Sequence, residues 1–131
     1  MTSSLENVGL YLVNGTAGKE GMPGAPILHF SLLVNAVSGR ITGHARQTQA
    51  VKAPYNDIPI TIENGQLHAT GFGKYTKVVA LSGNGLVSFP PPEIGSYLVP
   101  FTAHFAIDDS WNGDGGWTLG SKSVENVPVK K

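Results

Sequence analysis

Asp108, Asp109, Ser110, Trp111, Asn112, Gly113, Asp114, Gly115, Gly116 and Trp117 put three carboxylates, an amide and both tryptophans of the chain into ten residues. Two chemistries suit that set. A cation site would use Ser110, Asn112 and Asp114, oxygen ligands at alternate positions, with Gly115 where a calcium loop turns sharply. The helix–loop–helix calcium pattern wants Asp first and Glu twelfth; Ser110 and Ser121 stand there instead, so the match to calcium is partial. A carbohydrate site would use Asp109, Asn112 and Asp114 to bond hydroxyls, while the indoles of Trp111 and Trp117 cover the apolar face of a sugar. The plainer use of the same residues is a turn-rich loop whose Asp and Asn cap their own backbone and whose tryptophans close one end of a core.

The four histidines, His29, His44, His68 and His104, each fall on the polar phase of an alternating segment. Zinc would need three or four of them to converge in a tetrahedron, and no short fixed spacing encodes that. Histidines on an interface would instead make assembly sensitive to pH near 6. Catalytic arrangements are weaker. No Gly-x-Ser-x-Gly elbow presents a nucleophile. Asp108, Asp109, Asp114 and Glu93 are candidates for a glycosidase pair only because acids are scarce in this chain. Gly71-Phe72-Gly73 lacks the following helix that phosphate binding requires. No catalytic residue is assigned, and the chain is expected not to be an enzyme.

The elements that must position these residues are strands. Leu28, Phe30, Leu32 and Val34 alternate with His29, Ser31, Leu33 and Asn35; Ile58, Ile60 and Ile62 do so around Pro59, Thr61 and Glu63, and Phe101, Ala103, Phe105 and Ile107 with Thr102, His104, Ala106 and Asp108. Period-two alternation with 17 glycines and 9 prolines leaves no window for a long helix. The fold is expected to be all-β, an antiparallel β-sandwich or small flattened β-barrel of about eight to nine strands. Asn64-Gly65 between alternating runs predicts a tight hairpin, pairing Ile62 with Leu67. Gly83-Asn84-Gly85 predicts a second turn. Strands 27–35 and 39–49 form a third hairpin: a two-residue turn at Ala36-Val37 would set Leu32 against Ile41 and His29 against His44, and a four-residue loop would shift each partner by two. Residues 1–131 read as a single β-domain with a frayed, polar tail over 121–131.

Composition narrows the function classes. Charged residues make up 14%, against roughly 25% in an average soluble domain. Lys plus Arg equals Asp plus Glu, 9 each, which argues against a nucleic-acid surface and favours self-association. The absence of cysteine excludes disulfides and thiolate sites. No basic region leads into an apolar run at the N-terminus, so the expected location is cytoplasmic, or exported without a recognisable signal peptide. No apolar stretch has the length of a membrane-spanning helix.

Ile27 to Asn35, the Gly43 to Ala50 segment ending Gln47-Thr48-Gln49-Ala50, Ile94 to Pro100, and Asp108-Asp109-Ser110-Trp111 with its glycines resemble a small bacterial family of uncharacterised all-β proteins, a domain of unknown function. The pieces span most of residues 27–117, with departures at Pro54–Pro59 and Pro90–Glu93. The resemblance implies a compact β-domain and carries no catalytic residues. The expected function is a non-catalytic binding or self-assembling β-module, with the 108–117 loop as its contact surface and a carbohydrate as the ligand that loop would suit. One alternative is a small β-barrel enclosing an apolar ligand, given room by inward Gly43, Ala45, Ala69 and Gly71. The other is a carbohydrate-acting enzyme.

Overall fold

A computed structural model describes residues 9–70, 73–93 and 95–131. Eight strands follow one another: β1 (Leu10–Ala17), β2 (Ile27–Asn35), β3 (Ile41–Thr48), β4 (Asp57–Ala69), β5 (Lys77–Ser88), β6 (Ser96–Ile107), β7 (Gly113–Leu119) and β8 (Lys122–Lys130). Each pairs antiparallel with the next, and β8 returns to β1, so the sheet is a closed up-and-down β-barrel rather than a sandwich. There is no helix among the described residues.

Alternation decides which side of each strand faces in. Along β2, buried Leu28, Phe30, Leu32 and Val34 interleave with exposed His29, Ser31 and Leu33. The same phase on β6 buries Phe101, Ala103, Phe105 and Ile107. Both tryptophans join these side chains in one interior cluster. Phe30 meets Phe105 at 5.4 Å and Trp111 at 6.4 Å between ring centroids, within the range of favourable tilted aromatic packing.

The β2–β3 connection is the four-residue loop. Leu32 pairs with Gly43, Val34 with Ile41, and His29 with Arg46. The loop is held by Asn35, whose Oδ1 accepts from the Val37 and Ser38 amides at 3.0 and 3.1 Å, an Asx turn in which a side chain replaces a backbone acceptor.

Two expected turns are not turns. Asn64-Gly65 lies inside β4, and Gly83-Asn84-Gly85 lies inside β5. The two sites pair with each other: Ile62 faces Gly83, Asn64 faces Ser82, and Glu63 is the extra residue of a β-bulge. Beyond the bulge the inward phase moves from Ile58, Ile60 and Ile62 to Gly65 and Leu67. The glycines serve close approach rather than reversal. A Cβ on Gly83 would lie 1.9 Å from the Thr61 carbonyl oxygen, and one on Gly65 would lie 2.7 Å from Ile41 Cβ. Glycine and a bulge together bend long strands around a barrel.

The segment expected to fray after Ser121 is instead β8, which buries Val127 and Val129 and closes the barrel. Its seam with β1 is short, comprising the pairs Thr16–Lys130 and Ala17–Val129 and a bond from the Gly18 amide to the Pro128 carbonyl at 3.0 Å. Ion pairing of Lys130 with Glu20 at 3.0 Å straps it.

Candidate functional site

The β6–β7 hairpin carries the polar and aromatic cluster singled out in the sequence. Asp108 organises it. Its Oδ1 accepts from the amides of Ser110 at 2.8 Å and Asn112 at 3.0 Å, and its own amide donates to the Asn112 carbonyl at 2.9 Å. This tight closure sets Trp111 at φ 64°, a left-handed conformation that is rare for a bulky residue. The indole is thereby turned inward, 2% exposed, and its Nε1 donates to the Tyr11 hydroxyl on β1 at 3.4 Å.

Trp117 is deeper still. It points into the barrel from β7 at 1% exposure and donates from Nε1 to Gln47 Oε1 at 2.7 Å. Gln47 is buried on the inward phase of β3, so its acceptor satisfies an indole donor that would otherwise be stranded among hydrocarbon. The structure therefore does not place Trp111 and Trp117 where an indole face could cover a sugar.

The loop's acids face protein donors. Asp109 Oδ1 accepts from Thr76 Oγ1 at 2.7 Å and lies 3.8 Å from Lys77 Nζ. Asp114 accepts from the Tyr75 hydroxyl, and that bond is the leading cause of a Tyr75 pKa raised above its ordinary value of 10.0. Both carboxylates tie the hairpin to the segment entering β5. Asn112 Oδ1 accepts from the Lys131 amide at 3.4 Å. Of the calcium candidates Ser110, Asn112 and Asp114, the last two thus spend an oxygen on neighbouring donors. Among the described residues, no three His, Cys, Asp or Glu side chains converge in a way that could hold a metal.

The histidines stay on the outer wall and apart. His29 Nε2 lies 3.2 Å from Thr48 Oγ1, and His104 Nε2 lies 3.2 Å from Glu125 Oε2. His44 and His68 are exposed on β3 and β4.

Gly43, Ala45, Ala69 and Gly71 are the small residues expected to leave internal room. A Cβ on Gly43 would lie 2.2 Å from the Ser31 carbonyl oxygen, so the space at that position is taken by the neighbouring strand. Ala45 is buried within the cluster, Ala69 is exposed, and Gly71 lies outside the described residues.

Sequence reasoning missed the outer wall. Large aliphatic side chains stand exposed there in cross-strand pairs: Leu12 with Leu33 on β1 and β2, and Leu86 with Leu98 on β5 and β6. The second pair borders a shallow groove of about 350 Å³ that His44, Pro59, Thr61 and Asn84 also line. Near one end of the barrel Tyr97 sits 5.8 Å from Phe89 and shares a 3.1 Å hydroxyl contact with Tyr55. The available signal was the outward phase itself, on which Leu12, Leu33, Leu86 and Leu98 break the polar pattern.

Among the described residues, no helix is long and apolar enough to cross a membrane. No curated protein matches the chain. A family model described as Domain of unknown function (DUF1842) matches residues 8–123. That match covers most of the sequence and every strand but the last, which it enters, and the chain belongs to the DUF1842 family.

Proposed function

We propose that this protein is a non-catalytic interaction module, a filled barrel that works through its outer wall. The observation that carries the reading is a contrast between inside and outside. Inward positions are occupied by packed side chains that include both tryptophans, while Leu12, Leu33, Leu86 and Leu98 face solvent in register. Aliphatic side chains grouped on a surface are used for contact with other macromolecules more often than isolated ones are. The low, balanced charge supports close approach of another neutral surface. A carbohydrate ligand and an enclosed apolar ligand have less support, because both indoles and Ala45 are packed into the core and the neighbouring strand takes the space at Gly43.

Sedimentation velocity over a micromolar dilution series tests the reading. Reversible association that weakens when Leu12 or Leu98 is replaced by lysine is the expected result. A strictly monomeric protein that carries a stoichiometric small molecule in native mass spectra would overturn it.

A further inference from the structure

One end of the barrel carries its two exposed tyrosines side by side. Tyr55 stands in the β3–β4 connection and Tyr97 is the second residue of β6, 42 positions later, yet their hydroxyl oxygens lie 3.1 Å apart. Each ring is fixed by its own loop. The Gln49 amide donates to the Asn56 carbonyl at 3.0 Å and the Tyr55 amide to the Lys52 carbonyl at 3.2 Å, a closed turn that presents Tyr55. On the other side the Phe89 amide donates to the Gly95 carbonyl at 3.0 Å, and the Phe89 ring packs 5.8 Å from that of Tyr97. Two phenols from distant parts of the chain are thus held in contact before any reagent arrives.

The chemistry open to adjacent phenols is one-electron oxidation. A phenoxyl radical carries its spin on the oxygen and on the ring carbons beside the C–O bond, so two phenoxyls in contact couple through those ortho carbons. Other side chains compete poorly for the oxidant here. The chain has no cysteine to intercept it as a thiol. Trp111 and Trp117 are 2% and 1% exposed. Tyr11 and Tyr75 are half-buried, and their hydroxyls meet Trp111 and Asp114 rather than another phenol. Tyr55 and Tyr97 are 46% and 41% exposed.

We propose that Tyr55 and Tyr97 form an oxidative cross-linking site, at which a one-electron oxidant of the haem-peroxidase class joins the two rings as a dityrosine. Each phenol gives one electron to the oxidant and its hydroxyl proton to water. The two ortho carbons then form a carbon–carbon bond, and the hydrogen on each moves to its ring's oxygen, which restores both aromatic rings and both hydroxyls. The protein loses two hydrogen atoms. Hydrogen peroxide, the terminal acceptor, takes up the two electrons and two protons and becomes two molecules of water. Partners held in contact react at effective concentrations far above that of a dilute protein, so the bond forms within one chain rather than between chains. It ties the β3–β4 connection to β6 across the ends of β4 and β5. A covalent tie over 42 positions restricts the unfolded chain as a disulfide would.

Treating the folded full chain at micromolar concentration with a haem peroxidase and hydrogen peroxide tests the site. The expected product is a monomer lighter by two hydrogen atoms, with dityrosine fluorescence and a proteolytic fragment pair joined at Tyr55 and Tyr97. Its unfolding midpoint should rise by on the order of 10 °C. Tyr55→Phe and Tyr97→Phe keep a ring and lose the phenol, and each should abolish the monomeric product, whereas Tyr75→Phe should keep it. In urea that unfolds the chain, the yield of the intramolecular link should fall about tenfold or more. Cross-linked dimers without the lighter monomer would overturn the proposal, as would a lighter monomer that persists in Tyr55→Phe. Oxygen addition at Met22, which is 53% exposed, with no loss of hydrogen would overturn it too. None of these outcomes bears on association through the outer wall, which sedimentation of the untreated protein reads separately.

Discussion

Replacing Gln47 by methionine removes the acceptor of the Trp117 indole while keeping a side chain of similar length and volume. The two residues are 70 positions apart and meet inside the barrel, Trp117 Nε1 donating to Gln47 Oε1 at 2.7 Å. Trp117 is 1% exposed and Gln47 8%, so water does not stand ready to replace the lost partner. A buried donor left without an acceptor costs about 1–3 kcal/mol, and the methionine thioether is at best a weak acceptor. Burying a thioether in place of an amide returns a fraction of that, which leaves a net loss of about 1–2 kcal/mol. For 131 residues the unfolding entropy is about 0.28 kcal/mol/K, so the midpoint should fall by about 4–7 °C. Urea melts followed by far-UV circular dichroism measure the free energy, and His44→Ala on the outward phase of the same strand should stay within about 0.5 kcal/mol of the parent.

The same pair can be separated from simple packing by a double-mutant cycle. Trp117→Phe alone removes the donor, orphans the Gln47 amide and leaves part of the ring volume empty. Combined with Gln47→Met, the amide is no longer orphaned, so the double variant should be more stable than the two single losses summed, by about 1–2 kcal/mol. Additive losses, or a Gln47→Met protein as stable as the parent, would refute the claim that this buried polar contact is needed to accommodate the indole.

Three further outcomes are expected. Trp111→Gly should lower stability by about 2–4 kcal/mol in urea melts, because loss of the buried ring costs about 3–5 kcal/mol and glycine recovers about 1 kcal/mol at the left-handed backbone. Gly83→Ala should cost about 1–3 kcal/mol or more in the same assay, since its Cβ would meet the Thr61 carbonyl, whereas Gly21→Ala, with open space and φ +83°, should cost only about 1–2 kcal/mol. Glu20 is held below its ordinary value of 4.5, first by its hydrogen bond with Lys130. Its contribution to the seam is fully present above pH 4.5 and lost as the pH falls through the lowered folded value; an NMR titration should find its midpoint below 4.5, returning toward 4.5 in Lys130→Met.

Much of this fold could be read from the sequence because β2 and β6 obey strict alternation and their inward sets are wholly apolar. The hairpin at 108–112 was legible in kind, since Asp108 and Asn112 are residues that bond their own turn. Its tryptophans were read in two ways, and residue type could not separate them. An indole beside carboxylates suits a sugar as well as a core, and only the left-handed turn at Trp111 and the distant Gln47 acceptor send both rings inward. β8 was hidden for a different reason. Lys122, Glu125, Asn126 and Lys130 make it read as polar, and a register shift between Val124 and Val127 breaks the period of its three inward valines, Val124, Val127 and Val129.

The two misread turns have a common cause in parity. Residues opposed on neighbouring antiparallel strands share a face, so a two-residue hairpin turn makes an even-numbered residue face an odd-numbered one. A single-residue bulge in a continuous strand also exchanges even for odd. Ile58, Ile60 and Ile62 followed by Leu67 fit both descriptions equally. At the second site the converse holds: a three-residue turn preserves parity, and so does an uninterrupted strand, so Val79 and Leu81 followed by Val87 are equally neutral. What separates the two cases is length and the partner. A turn at Asn64-Gly65 leaves an arm of only Gln66 to Ala69, too short to match the run from Asp57 to Glu63 that it would have to cover. A bulge there instead lets one 13-residue strand lie along the 12-residue β5, with Gly83 opposite Ile62 where the backbones draw together. The Asn-Gly pair is thus explained by curvature, and Gly65 and Gly83 are among the positions of tight approach at which an added methyl group should destabilise the barrel.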